Sequence, residues 1–123
     1  MAVLVHHLLV VSALVARPIK TVSEGKAWLA DLIQSLGMQP LAPATGAYCN
    51  TLGNQGLTLL QPITTSHIAL HIWDQHNPAQ LELDVYSCKA FDIKTVIDHL
   101  APMHPTQIRH KFVDRTCSID VLS

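Results

Sequence analysis

Apolar residues recur along this chain with two different periods, one suited to strands and one to helices. From Val3 to Val15 the β-branched and Leu residues occupy both parities, as in a strand covered on both faces, and Pro18 ends the run. Thr21-Val-Ser-Glu24 matches a capping box, in which the threonine hydroxyl and the glutamate side chain satisfy first-turn amides reciprocally. Trp28, Leu29, Leu32, Ile33 and Leu36 follow at helical spacing as one apolar stripe, and Gly37 is placed to cap the helix. Between Met38 and Asn54, Pro40, Pro43, Gly46 and Gly53-Asn54 predict loops and a short strand.

Strands are predicted over Leu57 to Ile63 and Ser66 to Trp73. In the second, alternation puts Ser66, Ile68, Leu70 and Ile72 on one side and His67, Ala69, His71 and Trp73 on the other. After a turn-rich break at Asp74 to Pro78, Leu81 to Cys88 alternates again, with Leu81, Leu83 and Val85 against Glu82, Asp84, Tyr86 and Cys88. Asp92 can cap a second helix whose Ile93, Val96, Ile97 and Leu100 form one stripe before Pro102, and two strands close the chain. The order β-α-β-β-β-α-β-β, with each helix apolar on one side only, predicts an α+β, two-layer sandwich with both helices on one face of a mainly antiparallel sheet. The other face is left partly polar.

Composition sharpens this picture. A chain of 123 residues has room for one domain, taken as 1–123, and no internal repeat or linker divides it. Hydrophobic residues make up 49% and charged residues 14%, which is apolar for so small a monomer and points to a homo-oligomer, a homodimer in the simplest case. The net charge of -1 and scattered Lys and Arg supply no basic stripe, so nucleic acid is not an expected partner. Cys49, Cys88 and Cys117 are odd in number and lack CxxC spacing, which suits a reducing cytoplasm rather than a disulfide framework. The apolar start, Ala2 to Ala16, has no preceding Lys or Arg, is broken by His6-His7, and is shorter than the roughly 20 residues that span a bilayer, so no membrane association is expected.

The densest set of reactive side chains lies in two successive strands, Thr64-Thr-Ser66-His67-Ile-Ala-Leu-His71-Ile-Trp73 and Asp84-Val-Tyr86-Ser-Cys88. Paired as a hairpin, they would gather His71, Trp73, Asp84, Tyr86 and Cys88 on one face: a base, an acid, a thiol and two aromatic rings. These two segments resemble the signature of the prokaryotic S-adenosylmethionine decarboxylases, in which a Ser-His pair is followed by a second His and Trp, and then by Asp-hydrophobic-aromatic-Ser/Thr-Cys. The similarity extends more weakly over the opening strand and helix, Gly56-Leu57-Thr58 and the helix after Cys88.

The resemblance implies a proenzyme that cleaves itself between Thr65 and Ser66 by an N-to-O acyl shift and β-elimination, leaving a pyruvoyl group derived from Ser66 as the cofactor. That carbonyl would form a Schiff base with an amino-acid-type substrate and act as an electron sink while carbon dioxide departs. By the same match His71 would assist processing as proton acceptor, Thr58 would steady the tetrahedral intermediate and Cys88 would be the general acid. Leu52, Trp73 and Tyr86 would line the substrate, Leu52 standing where the family places an aromatic residue. Thr64 and Thr65 stand where the family usually has a glutamate. The implied product feeds spermidine synthesis. Alternatives are an arginine or ornithine decarboxylase of the same family, an unprocessed non-catalytic homologue, and a metal-binding protein using His6, His7, His67 and His71, of which the metal is not adopted.

Overall fold

The computed structural model describes residues 4–123, so the Val3 end of the first predicted strand lies outside the described residues. The first strand, β1, runs His7–Val15. Helix α1 follows at Val22–Ser35, then β2 (Thr45–Cys49), β3 (Gly56–Ile63), β4 (Ser66–Trp73), β5 (Ala79–Ser87), α2 (Ile93–Asp98), a short 3-10 turn at Ala101–Met103, β6 (Pro105–Asp114) and β7 (Asp120–Val121). The Pro- and Gly-rich stretch yields β2, the short strand expected there but left out of the order β-α-β-β-β-α-β-β, so the sheet has seven strands. The strands lie in the order β2-β3-β4-β5-β1-β6-β7. Every neighbouring pair is antiparallel.

Alternation decides which side of the sheet is covered. Leu9, Val11, Ala13 and Val15 on β1, Leu57, Leu59 and Ile63 on β3, Ile68, Leu70 and Ile72 on β4, and Leu81, Leu83 and Val85 on β5 all point to one buried face. Trp28, Leu29, Leu32 and Ile33 of α1 and Val96 of α2 close over that face in a single apolar cluster. Thr21 caps α1 as predicted, its hydroxyl accepting from the Glu24 amide, while the Glu24 carboxylate accepts from that hydroxyl instead of from a backbone amide as the reciprocal box expected. The Asp92 side chain caps α2 through the Lys94 amide at 3.0 Å. The helices are tied by Trp28, whose Nε1 donates to the His99 carbonyl at 3.0 Å while His99 Nε2 donates to the Trp28 carbonyl at 3.2 Å.

Three details differ from the sequence pattern. Strand β1 is apolar on both parities, yet only its odd positions are covered, and Leu8, Val10 and Leu14 stay half-buried on the open face. Helix α2 has six residues, and Pro102 sits inside the 3-10 turn that continues it. Strand β5 ends at Ser87, one residue before Cys88. No helix among the described residues is long and apolar enough to cross a membrane.

Gly56 opens β3 at φ 157°, and a Cβ there would lie 1.9 Å from the Ile72 carbonyl oxygen on β4. Gly53, at φ 86°, faces open space. Chemical denaturation of Gly56→Ala is expected to show a loss of ~3 kcal/mol or failure to fold, while Gly53→Ala loses ~1 kcal/mol, because only the first adds a backbone clash to the cost of a left-handed conformation.

Candidate active site

The register of β4 against β5 fixes what meets what. Ser66 is paired with Ser87, His67 with Tyr86, Ala69 with Asp84 and His71 with Glu82. Of the predicted set, His71, Trp73, Asp84 and Tyr86 share the open face, spread along the strands, while Cys88 lies just past the end of β5. Five residues at about 3.3 Å each put His71 about 16 Å from Ser66 along β4. Two clusters result, one at each end of the hairpin.

The first cluster surrounds the turn between β3 and β4. Ile63 pairs with Ser66, so Thr64 and Thr65 form a two-residue connection. Such connections favour Gly or Asn because their backbone needs positive φ. Two β-branched residues fill this one, and Ser66 takes φ 142° instead. Positive φ at a non-glycine residue costs about 1–3 kcal/mol and persists only where neighbouring contacts enforce it. Those contacts are present: the Thr64 amide donates to the Gln39 carbonyl at 2.9 Å, and the Cys88 amide donates to the Thr65 carbonyl at 2.8 Å. Cys88, half-buried and free, is thereby held beside the Thr65–Ser66 peptide.

Tyr86 flanks this cluster on the open face. The His67 ring lies 5.6 Å away, the Arg115 guanidinium sits 4.4 Å over the phenol ring, and the Tyr86 hydroxyl is 3.3 Å from His6 Nδ1. On the covered side of the same end, His7 pairs with Ser87 and Asp114. Hydrogen bonds from Thr116, with a smaller contribution from His7, hold the Asp114 carboxyl below its ordinary range.

The second cluster occupies the far end of β3 and β4. Thr58 and His71 are cross-strand partners, and the threonine hydroxyl is 3.1 Å from His71 Nδ1. The His71 ring stacks on Trp73 with centroids 5.9 Å apart. Gly56 separates Cys49 from Trp73 in one row. Having no side chain, it leaves room for Asn54, which accepts from Trp73 Nε1 at 2.9 Å and donates to Cys49 Sγ at 3.8 Å. Hydrogen bonds from Thr51, with a smaller one from Asn54, draw the Cys49 thiol below its ordinary range. Leu52, on the loop above, is 86% exposed and joins neither cluster.

Thus Thr58, His71 and Trp73 stand together, as do Thr65, Ser66, Cys88 and Tyr86, and the two groups do not meet within one chain. Sequence reasoning missed Asn54, which it treated as part of a turn, and Ser87, whose hydroxyl lies 3.0 Å from Thr65 Oγ1. A signal for Ser87 existed: it falls on the apolar parity of Leu81, Leu83 and Val85, where a hydroxyl is out of place.

Comparison with known proteins gives one family and one fold. Residues 7–116 match the family described as S-adenosylmethionine decarboxylase. No curated protein matches the chain. Among solved structures, the adenosylmethionine decarboxylase from Aquifex aeolicus superposes with a TM-score of 0.74 at 17% identity, covering 97% of this chain and 95% of that one.

At the edge of the second cluster the Tyr48 hydroxyl donates to Asp74 at 2.6 Å, and that bond, ahead of the carboxylate's charge, raises the phenol above its ordinary range. Ultraviolet titration of Asp74→Ala is expected to show Tyr48 ionising at lower pH than in the wild type; an unchanged curve would mean that the bond is absent in solution.

Proposed function

Because the chain belongs to the S-adenosylmethionine decarboxylase family, we propose that it is a pyruvoyl-dependent decarboxylase of S-adenosylmethionine, made as a proenzyme that cleaves itself between Thr65 and Ser66 and supplying aminopropyl groups for spermidine synthesis. One observation carries this reading: the Thr65–Ser66 peptide combines positive φ at the serine with a carbonyl held by the Cys88 amide at 2.8 Å.

In this reading those groups carry self-cleavage. Ser66 Oγ attacks the Thr65 carbonyl carbon, the C–N bond breaks, and the hydroxyl proton ends on the freed nitrogen, giving an ester. Negative charge develops on the Thr65 oxygen during the attack, and the Cys88 amide is already aimed at it. A base then removes the Ser66 α-proton, the Thr65 carboxylate leaves, and hydrolysis of the remaining dehydroalanine releases ammonia and leaves a ketone. The pyruvoyl group so made would supply an electron sink for loss of carbon dioxide. Cys88, whose amide meets the Thr65 carbonyl, carries the thiol assigned to return a proton to the product carbon, and Tyr86 bounds the open side of the same cluster.

His71 is suited to be the base, since the Thr58 hydroxyl at Nδ1 orients the ring and leaves Nε2 for proton transfer. It lies too far along its own strand to serve its own Ser66. A homodimer resolves this. Two open faces packed about 10 Å apart, with strands running in opposite directions, would bring His71, Thr58 and Trp73 of the partner subunit to the end of the hairpin that carries the Thr65–Ser66 peptide. Half-buried Leu8, Val10 and Leu14, together with Leu60 at 46% exposure, give that face the apolar area a partner would cover. The three free cysteines suit a cytoplasmic protein. Leu52, exposed where an adenine-stacking aromatic would stand, favours trying arginine and ornithine as alternative substrates.

Intact mass spectrometry of freshly expressed protein tests the central step. Two species are expected, residues 1–65 and residues 66–123 with a blocked amino end, while Ser66→Ala remains one chain. A wild-type chain that stays whole on prolonged incubation would leave a non-catalytic homologue as the better account. Once the protein is cleaved, release of carbon dioxide from S-adenosylmethionine, arginine and ornithine distinguishes the substrates, with S-adenosylmethionine expected to be turned over fastest.

A further inference from the structure

Ser87 is fully buried, and it ends a run of otherwise apolar positions on the covered side of β5, where Ala79, Leu81, Leu83 and Val85 precede it. Burying a hydroxyl there is unfavourable unless its hydrogen bonds are made. Both are made, one to the turn it faces and one to the backbone that follows it. Ser87 Oγ donates to Thr65 Oγ1 at 3.0 Å and accepts from the Lys89 amide at 3.0 Å. The second bond fixes the hydroxyl's direction; the first spends its only proton on the residue whose carbonyl is attacked.

Thr65 is therefore gripped at two points by consecutive residues, its carbonyl by the Cys88 amide and its side chain by Ser87 Oγ. Thr64 is held on the other side by Gln39. With both turn residues immobilised, the geometric mismatch of a Thr-Thr connection falls on Ser66, the one residue of the turn with positive φ. We propose that Ser87 is a positioning residue for self-cleavage: its hydroxyl locks the Thr65 side chain, and so the Thr65 carbonyl carbon, in the orientation that Ser66 Oγ attacks. The proposal rests on the self-cleavage reading and adds to it a residue whose hydroxyl acts through Thr65 rather than on the Ser66 hydroxyl or the substrate. Without the Ser87 hydroxyl, Thr65 can rotate and Ser66 can relax towards ordinary strand geometry, so that the reacting atoms lose their alignment.

The test is the rate at which full-length protein splits into two chains, followed by intact mass, with thermal melting run on each variant. Ser87→Ala is expected to cleave ~10-fold or more slowly than wild type, the scale of one lost buried hydrogen bond at the reacting peptide. Ser87→Thr, which keeps the hydroxyl, is expected to restore most of the rate. Thr65→Val removes the same contact from the turn side and Thr65→Ser retains it, so this second pair reads the contact even if Ser87→Ala fails to fold. In the double variant Thr65→Val/Ser87→Ala, slowing no greater than that of either single change is expected, because both remove one bond.

Equal rates for wild type, Ser87→Ala and Thr65→Val would overturn the proposal while leaving self-cleavage intact. Equal slowing by the hydroxyl-retaining and hydroxyl-lacking variants would overturn it too, assigning the position to packing. Absence of cleavage in the wild type would overturn the functional reading itself and this one with it.

Discussion

The antiparallel register between β4 and β5 is the constraint from which the rest of the site follows. Pairing Ser66 with Ser87 puts the last residues of β5 against the β3–β4 turn, so the Cys88 amide reaches the Thr65 carbonyl and the Ser87 hydroxyl reaches the Thr65 side chain. The same pairing carries His71 to the level of Glu82. A slip of one residue would exchange the two faces of β4, burying His71 and Trp73 and exposing Ile68, Leu70 and Ile72. Burial of those three side chains, all at or near zero exposure, holds the register in place. Geometry at the turn is thus specified by packing several residues away.

The sheet divides its labour between its two sides. The side covered by α1 and α2 carries the apolar cluster that fixes strand order and register. On the open side, polar and half-buried apolar residues alternate along strands whose backbones are already set. Two-residue turns are short enough to transmit strand geometry directly into the connection, and here that geometry falls on a serine where glycine would be at ease. Strain of this kind persists where it is over-determined, and the bonds from Gln39, Ser87 and Cys88 supply that determination.

Much of this was legible in the chain. Period-2 runs located β3, β4 and β5 nearly to the residue, and the capping residues Thr21 and Asp92 marked both helices, because each signal is local and strong. Strand β2 was visible only as a short strand of unstated position, since Gly46 and the neighbouring prolines obscure its alternation. The shared face of His71, Trp73, Asp84 and Tyr86 followed from parity, but their separation into two ends did not, because register depends on which strands pair and where. The roles of Asn54 and Gly56 were hidden for a related reason: a bridging amide over a bare backbone position exists only once β2, β3 and β4 are side by side.

What remains central is that Ser66 and Cys88 stand at one end of the hairpin while Thr58 and His71 stand at the other, so that the proposed self-cleavage requires parts from two chains. Co-expression of a Ser66→Ala chain with a differently tagged His71→Ala chain tests this most directly, since each lacks what the other provides. The account predicts that neither variant is cleaved efficiently alone and that co-expression yields cleaved fragments from the His71→Ala chain only. Efficient cleavage of His71→Ala on its own, or no cleavage of either chain in a demonstrated mixed dimer, would contradict it.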